Sequence, residues 1–162
     1  MRELDHLKDI IPNYDYFIID LWGVVHNGIQ PYKGAVETIQ ELHNNKIRVS
    51  LFVNPSKETL ENLGIIATDR VELYTYHYAH NYSKNKSEAI KSYVEVYQFI
   101  QNEFPKIEFN AGHDLNLENL EYFLRSITNI KEVSIGHALI CDTFEFGLEK
   151  TIKKYLEITS KL

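Results

Sequence analysis

The chain has 162 residues, with 17 Lys plus Arg against 23 Asp plus Glu and a formal net charge of −6. Its 44% hydrophobic and 25% charged residues fit a globular protein with one core, or two small domains at the limit. The acidic balance argues against a nucleic-acid backbone binder, and the single cysteine, Cys141, excludes an internal disulfide and multi-cysteine metal sites.

Taken in chain order, residues 1–8 mix both charge signs and lead into no long apolar stretch, so no secretory signal is expected. The first short apolar run, at 16–21, predicts a strand, and Ala35, Val36, Ile39 and Leu42 predict a helix behind Gly34. A strand at 49–53 precedes a short helix carrying Leu60 and Leu63, with Ser56 as its cap and Gly64 as its end. A strand at 71–75 leads to a polar loop at 81–86. One long helix follows, from Ala89 through Tyr93, Tyr97 and Ile100 to Phe104, before Pro105. Strands at 107–111 and 133–135 flank a helix of Leu117, Leu120, Phe123 and Leu124 capped by Asn116. Leu148, Ile152, Tyr155 and Leu156 make the last helix. The pattern is α/β with parallel strands and helical crossovers. A closed eightfold barrel takes about 200 residues or more, so an open sheet or part of a barrel is expected. No apolar run approaches the roughly 20 residues of a membrane span, and the protein reads as soluble and cytoplasmic.

Asp20 stands at the carboxyl end of the first strand, where open α/β sheets place their chemistry. A carboxylate there can act as a nucleophile or hold Mg²⁺, and it can equally cap the following turn, which Gly23 and Gly28 would tighten. The segment Asp20-Leu-Trp-Gly-Val-Val-His-Asn-Gly, with Gly34-Ala-Val-Glu after it, resembles the first motif of haloacid-dehalogenase-type phosphatases. That resemblance covers residues 1–46 and implies Asp20 as phosphoryl-accepting nucleophile, with Mg²⁺ only if the segment functions. Trp22 stands where that family has its general acid, so hydrolysis is not expected.

Three later strand ends carry polar groups. Glu72 lies inside an apolar strand, where an unpaired carboxylate is costly unless protonated, paired or used. His113 follows Asn110-Ala-Gly, and Gly136-His137 sits between a strand and a helix start, where backbone N–H groups can meet an anion. Each has a plain structural reading. Glu72 could pair with Arg70 or a lysine, His113 could cap a turn, and His137 could be a satisfied core residue. Ends of successive parallel strands converge on one face, which favours a shared site.

The segments Arg48-Val-Ser-Leu-Phe-Val, Asp69-Arg-Val-Glu-Leu-Tyr-Thr, Asn110-Ala-Gly-His-Asp-Leu and Glu132-Val-Ser-Ile-Gly-His-Ala-Leu-Ile carry a second likeness. Over residues 47–162 they resemble the C-terminal half of the pyridoxine 5′-phosphate synthase family. The resemblance implies a βα barrel, usually octameric and without an organic cofactor. Its reaction condenses 3-amino-2-oxopropyl phosphate with 1-deoxy-D-xylulose 5-phosphate in vitamin B6 synthesis. It also implies His113 as proton donor and Glu72 as a carboxylate stabilising the transition state. The backbone at Asp114, Gly136 and His137 would hold the phosphorylated amino ketone.

Two positions depart from that family: Tyr76 stands where a glycine is usual and is expected to crowd the pocket mouth, and Asp114 replaces a second glycine. The family's N-terminal catalytic groups have no counterpart here. The sequence therefore predicts a partial TIM-type barrel with a haloacid-dehalogenase-like segment at 1–46. A phosphatase remnant and a non-catalytic phosphate-metabolite binder stand as alternatives. The expected partners are a phosphorylated small molecule and a second chain, identical or supplying the missing half-barrel, but neither nucleic acid nor membrane.

Overall fold

Period-2 alternation in the strands decides the architecture. In β2 (Arg48–Val53), Val49, Leu51 and Val53 are buried on one side, while Arg48, Ser50 and Phe52 take the other. The computed structural model describes residues 10–20, 23–25, 27, 30–56, 60, 63–66 and 68–160. Among them, β1 (Tyr16–Asp20), β2, β3 (Arg70–Tyr74), β4 (Glu108–Gly112) and β5 (Ile130–Ser134) form one parallel sheet in chain order. The order never reverses, as it would in a doubly wound sheet, so the arrangement is that of an arc of a TIM-type barrel.

The helices are α1 (Lys33–Asn44), α2 (Leu63–Ile66), α3 (Tyr76–Tyr82), α4 (Lys86–Ala89), α5 (Lys91–Glu103), α6 (Leu120–Ser126), α7 (His137–Phe146) and α8 (Leu148–Thr159). Ile39, Leu42, Leu60, Tyr78, Tyr93, Ile100 and Phe123 join Val49, Leu51, Val71, Leu73, Phe109 and Ala111 in one buried cluster. At roughly 1.5–3 kcal/mol for each large side chain removed from water, this cluster is the main source of stability. The opposite face of the sheet is polar. Its register sets Ser50 beside Arg70 and Glu108 in one row, and Phe52, Glu72, Asn110 and Glu132 in the next.

Several local expectations are corrected. Gly64 lies inside α2 and does not end it. The loop expected at 81–86 is shorter, because α3 continues to Tyr82 and Asn85 Oδ1 accepts from the Glu88 N–H to start α4. The long helix expected from Ala89 is broken at Ile90, whose side chain turns into the core. Asn116 does not cap α6. Its Oδ1 accepts from the Glu118 and Asn119 N–H groups and so closes the turn before the helix. Gly23 makes the turn expected after β1, with φ of 74°, whereas Trp22 and Gly28 lie outside the described residues. No helix among the described residues is long and apolar enough to cross a membrane.

Candidate functional site

β3, β4 and β5 deliver the expected groups to one place. Glu72 comes from β3, His113 and Asp114 follow the last residue of β4, and Gly136 and His137 open α7 after β5. All five line a cleft of about 470 Å³, together with Phe52 and Ser134. Gly136 is the N-cap of α7, so the first N–H groups of a ten-residue helix and the positive end of its dipole lie at the cleft. That is an anion-binding geometry.

Glu72 is 8% exposed. Burial raises its pKa above the ordinary carboxylate value, a hydrogen bond from Ser134 works against the rise, and the charge of Glu132 adds to it. Such a carboxyl keeps its proton to higher pH and can then donate a hydrogen bond. It is not held by Arg70, the partner considered from the sequence. Arg70 Nη2 meets Glu108 Oε2 at 2.6 Å and its Nη1 meets Glu132 Oε1 at 2.8 Å. Arg48 joins the same Glu108 oxygen at 2.9 Å, and Asn110 Nδ2 donates to Glu132 Oε2 at 3.2 Å. These hydrogen bonds hold Glu108 below the ordinary carboxylate range. They form a charged floor that spans Glu72's own row and the row before it, and Ser50 Oγ and Asn110 Oδ1 are buried on that face without a partner among the described residues.

His113 is not a buried turn cap. Its ring is partly exposed, meets the Tyr74 ring edge-on with centroids 4.6 Å apart, and has Nδ1 3.2 Å from Asp114 Oδ2. His137 is exposed at the helix start, so it is not a core residue either. Tyr76 does not crowd the cleft. It stacks on Tyr74 and on His80, at 6.0 and 5.7 Å between centroids, and meets the His113 ring edge-on at 6.0 Å.

Asp20 stays apart. It ends β1 opposite Phe52, which separates it from Glu72 in the same row of side chains. Among the described residues no group of three or more His, Cys, Asp or Glu is placed to hold a metal ion. Sequence reasoning passed over Phe52, Gly112 and Ser134 as site residues. The alternation of β2 pointed Phe52 toward the polar face, but the placement of Gly112 under Glu72 depends on register.

A one-directional parallel sheet with polar groups at its carboxyl ends and a helix N-terminus beside them defines an α/β protein of barrel type with a phosphate-compatible cleft. The family model described as pyridoxal phosphate biosynthesis protein PdxJ matches residues 27–161, and the chain belongs to that family. It is 44% identical over 122 residues to the pyridoxine 5′-phosphate synthase of Christiangramia forsetii, covering 75% of this chain and 51% of the relative. The Cytophaga hutchinsonii protein of that name is 45% identical over 125 residues, covering 77% and 52%. The Flavobacterium johnsoniae protein of that name is 42% identical over 136 residues, covering 84% and 55%. The chain thus spans about half the length of the curated relatives it matches. The family match begins inside residues 1–46 and gives the haloacid-dehalogenase likeness of that segment no support.

Proposed function

We propose that this chain carries the phosphate-holding and proton-transferring part of a pyridoxine 5′-phosphate synthase site. The observation that carries the reading is the convergence of Glu72, His113 and the Gly136–His137 turn on one cleft. The backbone N–H groups at the start of α7 hold the phosphate of 3-amino-2-oxopropyl phosphate, and the helix dipole favours its charge. His113 moves a proton at the substrate, as an imidazole within reach of a bound ligand can near neutral pH. Glu72, whose pKa burial raises, stabilises oxygen that gains negative charge as bonds rearrange whenever it holds its proton.

The catalytic groups that the family resemblance places outside this chain's counterpart must come from elsewhere. Among the described residues the sheet has open edges at β1 and β5 and an uncovered polar face, and parallel sheets are normally covered on both faces. The chain therefore associates with a second chain, a copy of itself or one supplying the remaining strands. Light scattering of the 162-residue chain is expected to show self-association, and a stable monomer rejects that part.

The site is tested by adding inorganic phosphate while following the Gly136 and His137 amide NMR signals. Movement at millimolar phosphate is expected, and unmoved signals overturn the phosphate assignment. From the two family substrates the 162-residue chain by itself is expected to make no detectable pyridoxine 5′-phosphate, since groups that act as a unit lose most of their effect together. Product formation that vanishes in His113→Ala would show that the chain completes the site unaided.

A further inference from the structure

The exit turn of β4 is held in an unusual form. His113 and Asp114 have φ of 89° and 57°, two consecutive left-handed residues of which neither is glycine. Left-handed backbone costs a side chain about 1–2 kcal/mol, and Asp is among the few residues that tolerate it. The carbonyls of this turn are gripped from outside. Thr75 Oγ1 donates to Gly112 O at 2.7 Å and also to His113 O, while Asn119 Nδ2 donates to Asp114 O at 3.2 Å. The result is a fixed turn that brings Asp114 Oδ2 to 3.2 Å from His113 Nδ1.

Glycine would satisfy the backbone of this turn but would lack the carboxylate that stands 3.2 Å from His113 Nδ1. We propose that Asp114 is a positioning residue that holds His113 as the Nδ1–H tautomer and turns Nε2 to the cleft. The inference rests on the reading of His113 as the proton-moving group. A carboxylate that accepts from one ring nitrogen fixes which nitrogen remains basic. Tyr74 supports the orientation edge-on from β3, and Tyr76 meets the ring edge-on from α3. The other titratable groups facing His113 are Glu72 from β3 and His137 from α7, both lining the same cleft. The carboxylate that would repel a bound phosphate is thereby engaged by the imidazole.

The test is long-range ¹H–¹⁵N NMR of the His113 ring in the full chain, at a pH where the ring is neutral. The native protein is expected to show Nδ1 as the protonated nitrogen. Asp114→Gly keeps the left-handed turn and removes the carboxylate, so the signal is expected to move toward the Nε2–H form. Asp114→Asn retains both the turn and an acceptor oxygen and is expected to keep Nδ1–H. A shift in both variants assigns the effect to the carboxylate charge and leaves the inference standing. An Nε2–H native ring, or a Gly variant with the native tautomer, overturns it. Phosphate titration separates the two levels. Shifts at Gly136 and His137 with an unmoved tautomer reject this inference alone, and a responsive tautomer without phosphate shifts rejects the site reading and keeps the pair.

Discussion

A Cβ atom on Gly112 would stand 2.2 Å from Oε1 of Glu72 and 2.9 Å from Cβ of Ser134. The last residue of β4 is therefore the seat of the β3 carboxyl group, and only a missing side chain makes room for it. Gly112→Ala is expected to displace Glu72 from Ser134 and to cost about 1–3 kcal/mol through overpacking. Urea unfolding of the single variant and of Gly112→Ala with Glu72→Ala checks this. The double variant should cost less than the sum, because the closer of the two clashes disappears with the carboxylate.

Glu72 should also make stability depend on pH. Its folded pKa lies above the ordinary value, so the fold binds its proton more tightly than the unfolded chain does. The stabilising contribution is full below the ordinary glutamate range and is lost as pH rises through the raised folded value. Glu72→Gln carries no such loss and can still accept from Ser134. Thermal unfolding followed from pH 4 to pH 8 should show the variant gaining on the native protein as pH rises, with little difference at the acid end.

Arg70 holds two carboxylates from neighbouring strands while its own side chain is 8% exposed. Arg70→Met leaves Glu108 and Glu132 close together without their shared cation. Because both glutamates reach solvent, the expected cost is about 2 kcal/mol, below that of breaking a fully buried pair. The depressed pKa of Glu108 means that its contribution is present above the ordinary carboxylate range and lost as pH falls through the depressed value. The penalty should therefore be largest near neutral pH and shrink in acid, as denaturant midpoints at both pH values will show.

Much of this arrangement is legible in the sequence, and the rest depends on pairing across distance. The apolar runs of β1 to β4 and the glycine before His137 mark their elements locally, because alternation and turn chemistry act over a few residues. The start of β5 at Ile130 was hidden by Lys131 and Glu132, which sit in a strand whose register shifts beside Asn110. α3 was missed because its run of Tyr and His has modest helix propensity, although Tyr78 and Tyr82 share a helical face. The Arg70 floor could not be inferred at all. Its partners come from β4 and β5, and only the register brings them to β3.

Asp20 provides a control at the β1 edge of the sheet. The phosphatase likeness of its segment has no support from the family match. No appreciable hydrolysis of an activated aryl phosphate is expected with Mg²⁺. Asp20→Asn should leave the phosphate-induced shifts of Gly136 and His137 unchanged. Turnover that disappears in Asp20→Asn would reverse the assignment.

Because strand order follows chain order, each described strand pairs through its backbone with its immediate neighbours, while the Arg48–Glu108 and Arg70–Glu132 bridges each reach past one strand. β1 pairs with β2 alone, and of the cleft residues only Phe52 stands next to it. A different leading unit that offers the same hydrogen-bonding edge to Arg48–Val53 would leave Glu72, His113 and Gly136 where they stand. The β1–β2 junction is thus made of backbone groups that any strand can present. Hydrogen exchange should record this as a gradient, with amide protection lowest at the β1 edge and rising inward to the strands that carry the site.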